Sequence, residues 1–159
     1  MDRELTPRDE NGNYDFESID AMDVKLLNEQ LNALLSGEEV ELPKFNFQAG
    51  RKEYDGRTLR LEKNDILLME GIHGLNPALT YAIEQDRIFR IYISAMSALN
   101  ISETDHGSTT DKRLLRRIVR DNNFRGKSAA ATIGMWGSVQ RGERLHIFPF
   151  QNNADAVLN

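Results

Sequence analysis

Four arginines recur at helical spacing within residues 111–126, DKRLLRRIVRDNNFRG, and their chemistry is that of gripping phosphate. At about 100° per residue, Arg113, Arg116, Arg117 and Arg120 fall within roughly 100° of arc, while Leu114, Leu115, Ile118 and Val119 share the opposite side. Guanidinium forks are planar and always charged. An apolar stripe buried against a core would leave them available for bidentate contacts to phosphate oxygens. Ser108, Thr109, Thr110 and Asp111 supply N-cap candidates that mark the helix start. The plainer alternative is a solvated basic face making ordinary surface ion pairs.

Glu70 is a second candidate. The run before it, ILLM at residues 66–69, is continuously apolar and predicts a strand buried on both sides. An acid at the carboxyl end of such a parallel strand sits where open α/β sheets bind their ligands. A carboxylate there could hold Mg²⁺ directly or through water, and Gly71 would allow close backbone approach. The alternative is a strand-end carboxylate bonded to nearby amides. His73, His106 and His146 have no metal-ligand spacing and read as unrelated histidines, with His73 notable for lying just beyond Glu70. Trp136, next to Met135, reads as core. No Ser, His and Asp set has the context of a nucleophile elbow.

The elements that must position these groups are legible in outline. Residues 1–18 are polar and turn-rich. A helix capped by Asp20 or Asp23 runs to about Ser36, with Met22, Leu26, Leu27, Leu31, Leu34 and Leu35 at helical spacing and Gly37 ending it. Residues 58–62 alternate like a strand with one wet face. Residues 89–95, FRIYISA, predict another strand, preceded by a helix near residues 76–84, so strand, helix and strand imply a parallel crossover. A further helix is expected over residues 128–141, and a last strand over residues 155–158.

With 159 residues the chain is one domain's worth. Its net charge of −5 argues against a general nucleic-acid binder, so the arginine row is a local device. There is no cysteine, no secretion signal, and no apolar run near the roughly 20 residues that span a bilayer. A soluble cytoplasmic protein with no membrane or nucleic-acid partner is therefore expected.

Taken together, a strand ending in Glu-Gly and an arginine-lined helix some distance on resemble parts of a P-loop small-molecule kinase. ILLMEGIHGL at residues 66–75 resembles the second nucleotide-binding strand of the uridine kinase and phosphoribulokinase family. Residues 111–126 are similar to that family's lid, D-T-R-L-x-R-R-x-x-R-D-x-x-x-R-G, with Lys112 replacing the Thr. YDFESIDAMD at residues 14–23 resembles its acceptor-side segment, and the likeness continues to Ala154-Asp155. It is nearest to uridine kinase-like proteins of the longer, multidomain type. The resemblance implies an α/β fold, a partial P-loop NTPase-like parallel sheet with flanking helices and an Arg-rich lid. It implies ATP and Mg²⁺ as cofactors and a nucleoside or sugar as phosphoryl acceptor. Arg113, Arg116, Arg117, Arg120 and Arg125 become candidates for nucleotide or phosphate contacts. Glu17 and Asp20 become candidates for sugar hydroxyls, Phe47 for the base, and Glu70 for a catalytic or Mg²⁺-holding carboxylate. Phe45 and Gly50 stand where uridine kinases usually show Tyr and His, which bears on base recognition.

One departure is large. The phosphates of such kinases rest on a loop G-x-x-x-x-G-K-[ST] after a strand, and no stretch of this sequence has it. Gly126-Lys127-Ser128 copies its last three letters, but Asp121 stands at the earlier glycine position, and the tripeptide follows a helix. The resemblance also puts the general-base aspartate ahead of the acceptor segment. The chain is therefore expected to be a single truncated kinase domain, residues 1–159, lacking an N-terminal kinase segment and inactive alone. The rival expectation is a non-catalytic binding or assembly module derived from such a kinase, homo-oligomeric or completed by another chain.

Overall fold

The computed structural model describes residues 2–46, 49–93 and 108–158. Among the described residues it is a mixed α/β structure with three α-helices, an antiparallel hairpin and a small parallel sheet.

The first helix, α1, covers Val24–Leu35. Asp23 caps it, its side chain accepting from the Leu26 N–H at 3.2 Å. Gly37, at φ +85°, lets the chain turn back so that Glu38 N–H reaches the Ala33 carbonyl at 2.9 Å. Leu31 and Leu34 are buried where α1 packs on the turn that carries Leu79, and with Leu79, Ile83 and Val139 they make up the buried apolar set among the described residues. Asn28 fastens this contact. It is 1% exposed, and its amide donates to the Val24 and Leu79 carbonyls at 2.8 and 2.9 Å. Its oxygen accepts from Ala82 N–H at 3.1 Å, so all this buried amide's polarity is used.

Strands β1, Val40–Asn46, and β2, Arg51–Leu59, pair antiparallel, with an irregularity between Glu41 and Pro43. Pro43 cannot donate to the ladder, which accounts for a break there. Of the strand expected at residues 58–62, only residues 58–59 are strand, as the end of β2. Strands β3, Ile91–Ile93, and β4, Ala156–Leu158, pair in parallel, Ile91 opposite Ala156. The second of these matches the expected last strand.

Between them lie α2, Thr109–Phe124, and α3, Ala129–His146, packed on each other. Ser108 caps α2, its hydroxyl accepting from Asp111 N–H at 3.1 Å. Gly126, at φ +63°, ends it, and Arg125 and Lys127 N–H groups both reach the Asp121 carbonyl at 3.1 Å. Ser128 caps α3, which runs five residues past the expected end at Arg141.

Two expectations fail. Residues 66–69 are not a buried strand: Ile66 is 92% and Leu68 87% exposed, and residues 66–70 make no backbone hydrogen bond among the described residues. An apolar run becomes a buried strand only where a ladder partner lies beside it, and none of the described strands does. The helix expected near residues 76–84 is instead a pair of 3₁₀ turns, Pro77–Thr80 and Gln85–Arg87, and the parallel crossover joins β3 to β4.

The facing of α2 is also rotated from the expected one. Leu115 and Val119 are 55% and 59% exposed, while its one buried residue is Asp121. Arg113 and Arg117 turn inward together with Leu114 and Ile118, all half-buried, while Arg116 stays exposed with Leu115 and Val119, because carboxylates wait for the inner guanidinium groups.

Candidate functional site

Three carboxylates from three parts of the chain converge on the arginine row. From α3, Glu143 takes the Arg113 fork: Nη1 donates to Oε2 at 3.1 Å, and Nη2 donates to Oε1. From α2 itself, Asp121 accepts from Arg120 Nη2 at 2.9 Å and from Thr132 Oγ1 at 3.4 Å. It also lies 3.6 Å from Arg117 and 3.7 Å from Arg125. From the N-terminal loop, Glu17 reaches within 4.0 Å of Arg117.

Burial and charge set the proton affinities. Burial pushes Asp121 upward, but Arg120, Arg117 and Arg125 outweigh it and hold the carboxyl below its ordinary value. For Glu17 burial dominates: it raises the carboxyl, Arg117 opposes, and Glu143 and Asp15 add to the rise. The hydrogen bonds from Glu143 raise Arg113 above its ordinary value. Burial and the neighbouring Arg120 lower Arg125.

Arg113, Arg116, Arg117 and Arg120 line a cavity of about 100 Å³ together with Trp136. The Arg113 guanidinium carbon stands 5.9 Å from the centre of the Trp136 ring. Arg116 is exposed and has no ion pair or hydrogen bond among the described residues. Pockets for drug-sized ligands begin at roughly 300 Å³, so this cavity is too small to enclose a whole nucleotide. A larger cavity of 420 Å³ lies between the end of α1 and residues 82–87. Its arginine, Arg87, pairs with Glu84 at 3.0 Å, and it includes none of the sequence candidates.

The loop that carries Glu17 is stapled to α3. Arg141 donates to Asp9, and His146 Nε2 lies 3.2 Å from Asp15 Oδ2. Gly142 makes the close approach feasible, since a Cβ there would collide with the Glu17 Cβ and Cγ. On the other side His73, 3% exposed, lies against the Glu17 and Ser18 backbone. Burial lowers its proton affinity, with His146 adding to the effect, and its Nδ1 is buried without a hydrogen-bond partner among the described residues.

The sequence candidates therefore divide. Arg113, Arg116, Arg117, Arg120, Arg125 and Glu17 come together. Asp20 is exposed and makes no ion pair among the described residues. Glu70 is exposed and unpaired there as well, in a segment outside any strand. Phe47 lies outside the described residues, as does His106. No group of three or more His, Asp or Glu side chains among the described residues could hold a metal ion. Mg²⁺ usually takes one or two carboxylates and completes its shell with phosphate and water, so Glu70 could offer it one ligand. Sequence reasoning missed Glu143, Gly142 and Trp136 as parts of the site. Nothing at helical or motif spacing ties residues 30 apart, as Arg113 and Glu143 are. No described helix is long and apolar enough to cross a membrane.

A model of the Phosphoribulokinase / Uridine kinase family matches residues 1–159. The chain is 29% identical over 160 residues to a uridine kinase of Clostridium botulinum (strain Langeland / NCTC 10281 / Type F), covering 99% of this chain and 68% of that protein. It is 27% identical over 153 residues to a uridine kinase of Halobacterium salinarum, covering 96% and 60%. It is 30% identical over 147 residues to one of Yersinia pestis (strain Pestoides F), covering 92% and 60%. The chain thus spans between 60% and 68% of the length of these relatives.

Proposed function

Because the chain belongs to the phosphoribulokinase and uridine kinase family, we propose that it serves ATP-dependent phosphoryl transfer to the hydroxyl of a nucleoside or sugar. One observation carries this reading: the arginine cavity and the acceptor-side Glu17 meet at a single place, joined through Arg117. Phosphoryl transfer is mostly positioning and charge stabilisation. Arg113, Arg116, Arg117 and Arg120 would receive the negative oxygens of the phosphoryl group, and Glu17 would hold a sugar hydroxyl beside them. Bound ATP and Mg²⁺ would supply the phosphoryl group and further charge neutralisation, with Glu70 as a carboxylate available to the metal. Of the four lining arginines, Arg113, Arg117 and Arg120 are paired with carboxylates and Arg116 has no ion pair among the described residues, so the cavity keeps positive charge for a phosphate oxygen. The relatives named uridine kinase make a pyrimidine nucleoside the first acceptor to test.

In this reading residues 1–159 bind phosphate without completing the reaction by themselves, since the sequence has no G-x-x-x-x-G-K-[ST] loop. MgATP titrated into the 159-residue protein should change Trp136 fluorescence, and Arg116→Ala should weaken that binding about tenfold. Wild-type protein that does not respond to MgATP would remove the nucleotide reading. Turnover of ATP with uridine by the same protein would remove the claim of incompleteness. The exposed apolar residues Ile66 and Leu68 favour a second reading, an assembly module. Concentration-dependent association without ATP binding would select it.

A further inference from the structure

Glu143 has no part in the family's lid pattern or in the proposed ligand contacts, yet it is the carboxylate that grips a lining arginine most completely. It lies in the last turn of α3 and is 7% exposed. Both its oxygens accept from Arg113, 30 residues away. A fork-to-fork pair fixes the plane of the guanidinium as well as its position. That same guanidinium stands near Trp136 and lines the cavity, whereas Glu143 does not line it. An arginine has five N–H donors, and Glu143 engages two of them.

Resting on the phosphate reading of this cavity, we propose that Glu143 is a positioning residue for phosphate recognition, holding Arg113 so that its remaining N–H groups meet the phosphoryl oxygens. An unrestrained arginine surrenders rotamer freedom when it closes on a ligand. The carboxylate takes up that loss before the ligand arrives. As an anion Glu143 also repels phosphate, and the two effects oppose each other. Its placement decides between them: it stands outside the cavity wall, and the ligand meets its field only behind the positive Arg113 group. Asp121 braces Arg120, Arg117 and Arg125 in the same manner, but from their own helix. Among the described residues Glu143 is the one carboxylate of α3 that pairs with a lining arginine, and so sets where α2's row stands relative to Trp136.

Trp136 is the chain's single tryptophan, so its emission reads the cavity directly. Inorganic pyrophosphate is titrated into wild-type protein, Glu143→Gln, Glu143→Asp and Arg116→Ala, with the thermal midpoint of each measured alongside. Glu143→Gln should weaken pyrophosphate binding about tenfold and alter Trp136 emission before any ligand is added. Glu143→Asp, which keeps the charge, should recover part of both and carries the test if the glutamine variant does not fold. Arg116→Ala should weaken binding with the unliganded emission unchanged. Glu143→Gln that binds pyrophosphate as tightly as wild type overturns the proposal, even if its thermal midpoint falls, because the residue is then only structural. Tighter binding overturns it too and makes Glu143 a competitor for Arg113. Wild-type protein that ignores pyrophosphate fails the phosphate reading and this proposal together. Binding weakened by Arg116→Ala but not by Glu143→Gln removes Glu143 alone.

Discussion

Asp121 shows at one residue why the arginine row has the shape it does. It is 2% exposed and lies near the C-terminal end of α2, where the helix dipole disfavours a negative charge. Three arginines offset that cost, and so its carboxyl is held below the ordinary value of about 3.9. A depressed carboxyl contributes stability that is present above its unfolded value and lost as pH falls through the folded one. Asp121→Asn should therefore cost about 3 kcal/mol near neutral pH, the low end for breaking a buried pair. The low end applies because the side chains of Arg117, Arg120 and Arg125 are 20% to 39% exposed and can turn toward water. The difference should shrink only below about pH 3.9, where wild-type Asp121 also loses its charge. Urea unfolding of both proteins from pH 2 to 7 measures it, and a gap that stays constant with pH would mean that charge is not what Asp121 contributes. Glu17 has the opposite sign: its raised carboxyl favours the fold below the unfolded value, and that contribution fades as pH rises through the folded one.

At the scale of elements, α3 organises the site by docking the loop that carries Glu17, and Gly142 permits it. Replacing a helical glycine by alanine ordinarily gains about 1 kcal/mol. Here the new methyl would overlap Glu17, and overpacking typically costs about 1–3 kcal/mol. Gly142→Ala should lower the thermal midpoint and, by pushing Glu17 into solvent, bring its carboxyl back toward the ordinary glutamate value. An NMR titration of the Glu17 carboxyl reads the second effect, and a raised midpoint with an unmoved titration would mean that the loop does not rest on α3 as described. The helices were legible in the sequence because local signals set them: Asp23 and Ser108 cap, Gly37 and Gly126 stop, and leucines recur at helical spacing. Their facing was not. Leucines opposite arginines predict a buried apolar stripe, and only the remote partners Glu143, Thr132 and Glu17 reveal that Arg113, Arg117 and Asp121 turn inward while Leu115 and Val119 turn out. The run at residues 66–69 misled for the same reason, since its pattern records a preference for burial and not the presence of a neighbour to provide it.

For the whole molecule, the consequence is apolar surface left in water. Ile66, Leu68 and Ile72 are exposed, residues 66–70 make no backbone hydrogen bond among the described residues, and Phe89, Ile93, Val157 and Leu158 of the β3–β4 region are more than half exposed. Unpaired strand-like backbone with apolar side chains is a template for pairing with another chain. The net charge of −5 opposes close approach of two copies only weakly at physiological salt, where screening extends over about 8 Å. Covering Ile66 or Leu68 would contribute about 2 kcal/mol each. The protein should therefore associate as its concentration rises, more readily in high salt, which weakens repulsion but not apolar contact. Replacing both Ile66 and Leu68 by Lys should shift the association midpoint at least about tenfold upward, allowing for part of that gain being lost to ordering the interface. Sedimentation velocity over a range of concentrations reads this. Equal association of wild-type and doubly substituted protein would place the contact elsewhere, with the exposed Leu115 and Val119 side of α2 as the remaining apolar stripe to test. Because that stripe lies opposite the arginine row, association through it would leave pyrophosphate binding intact.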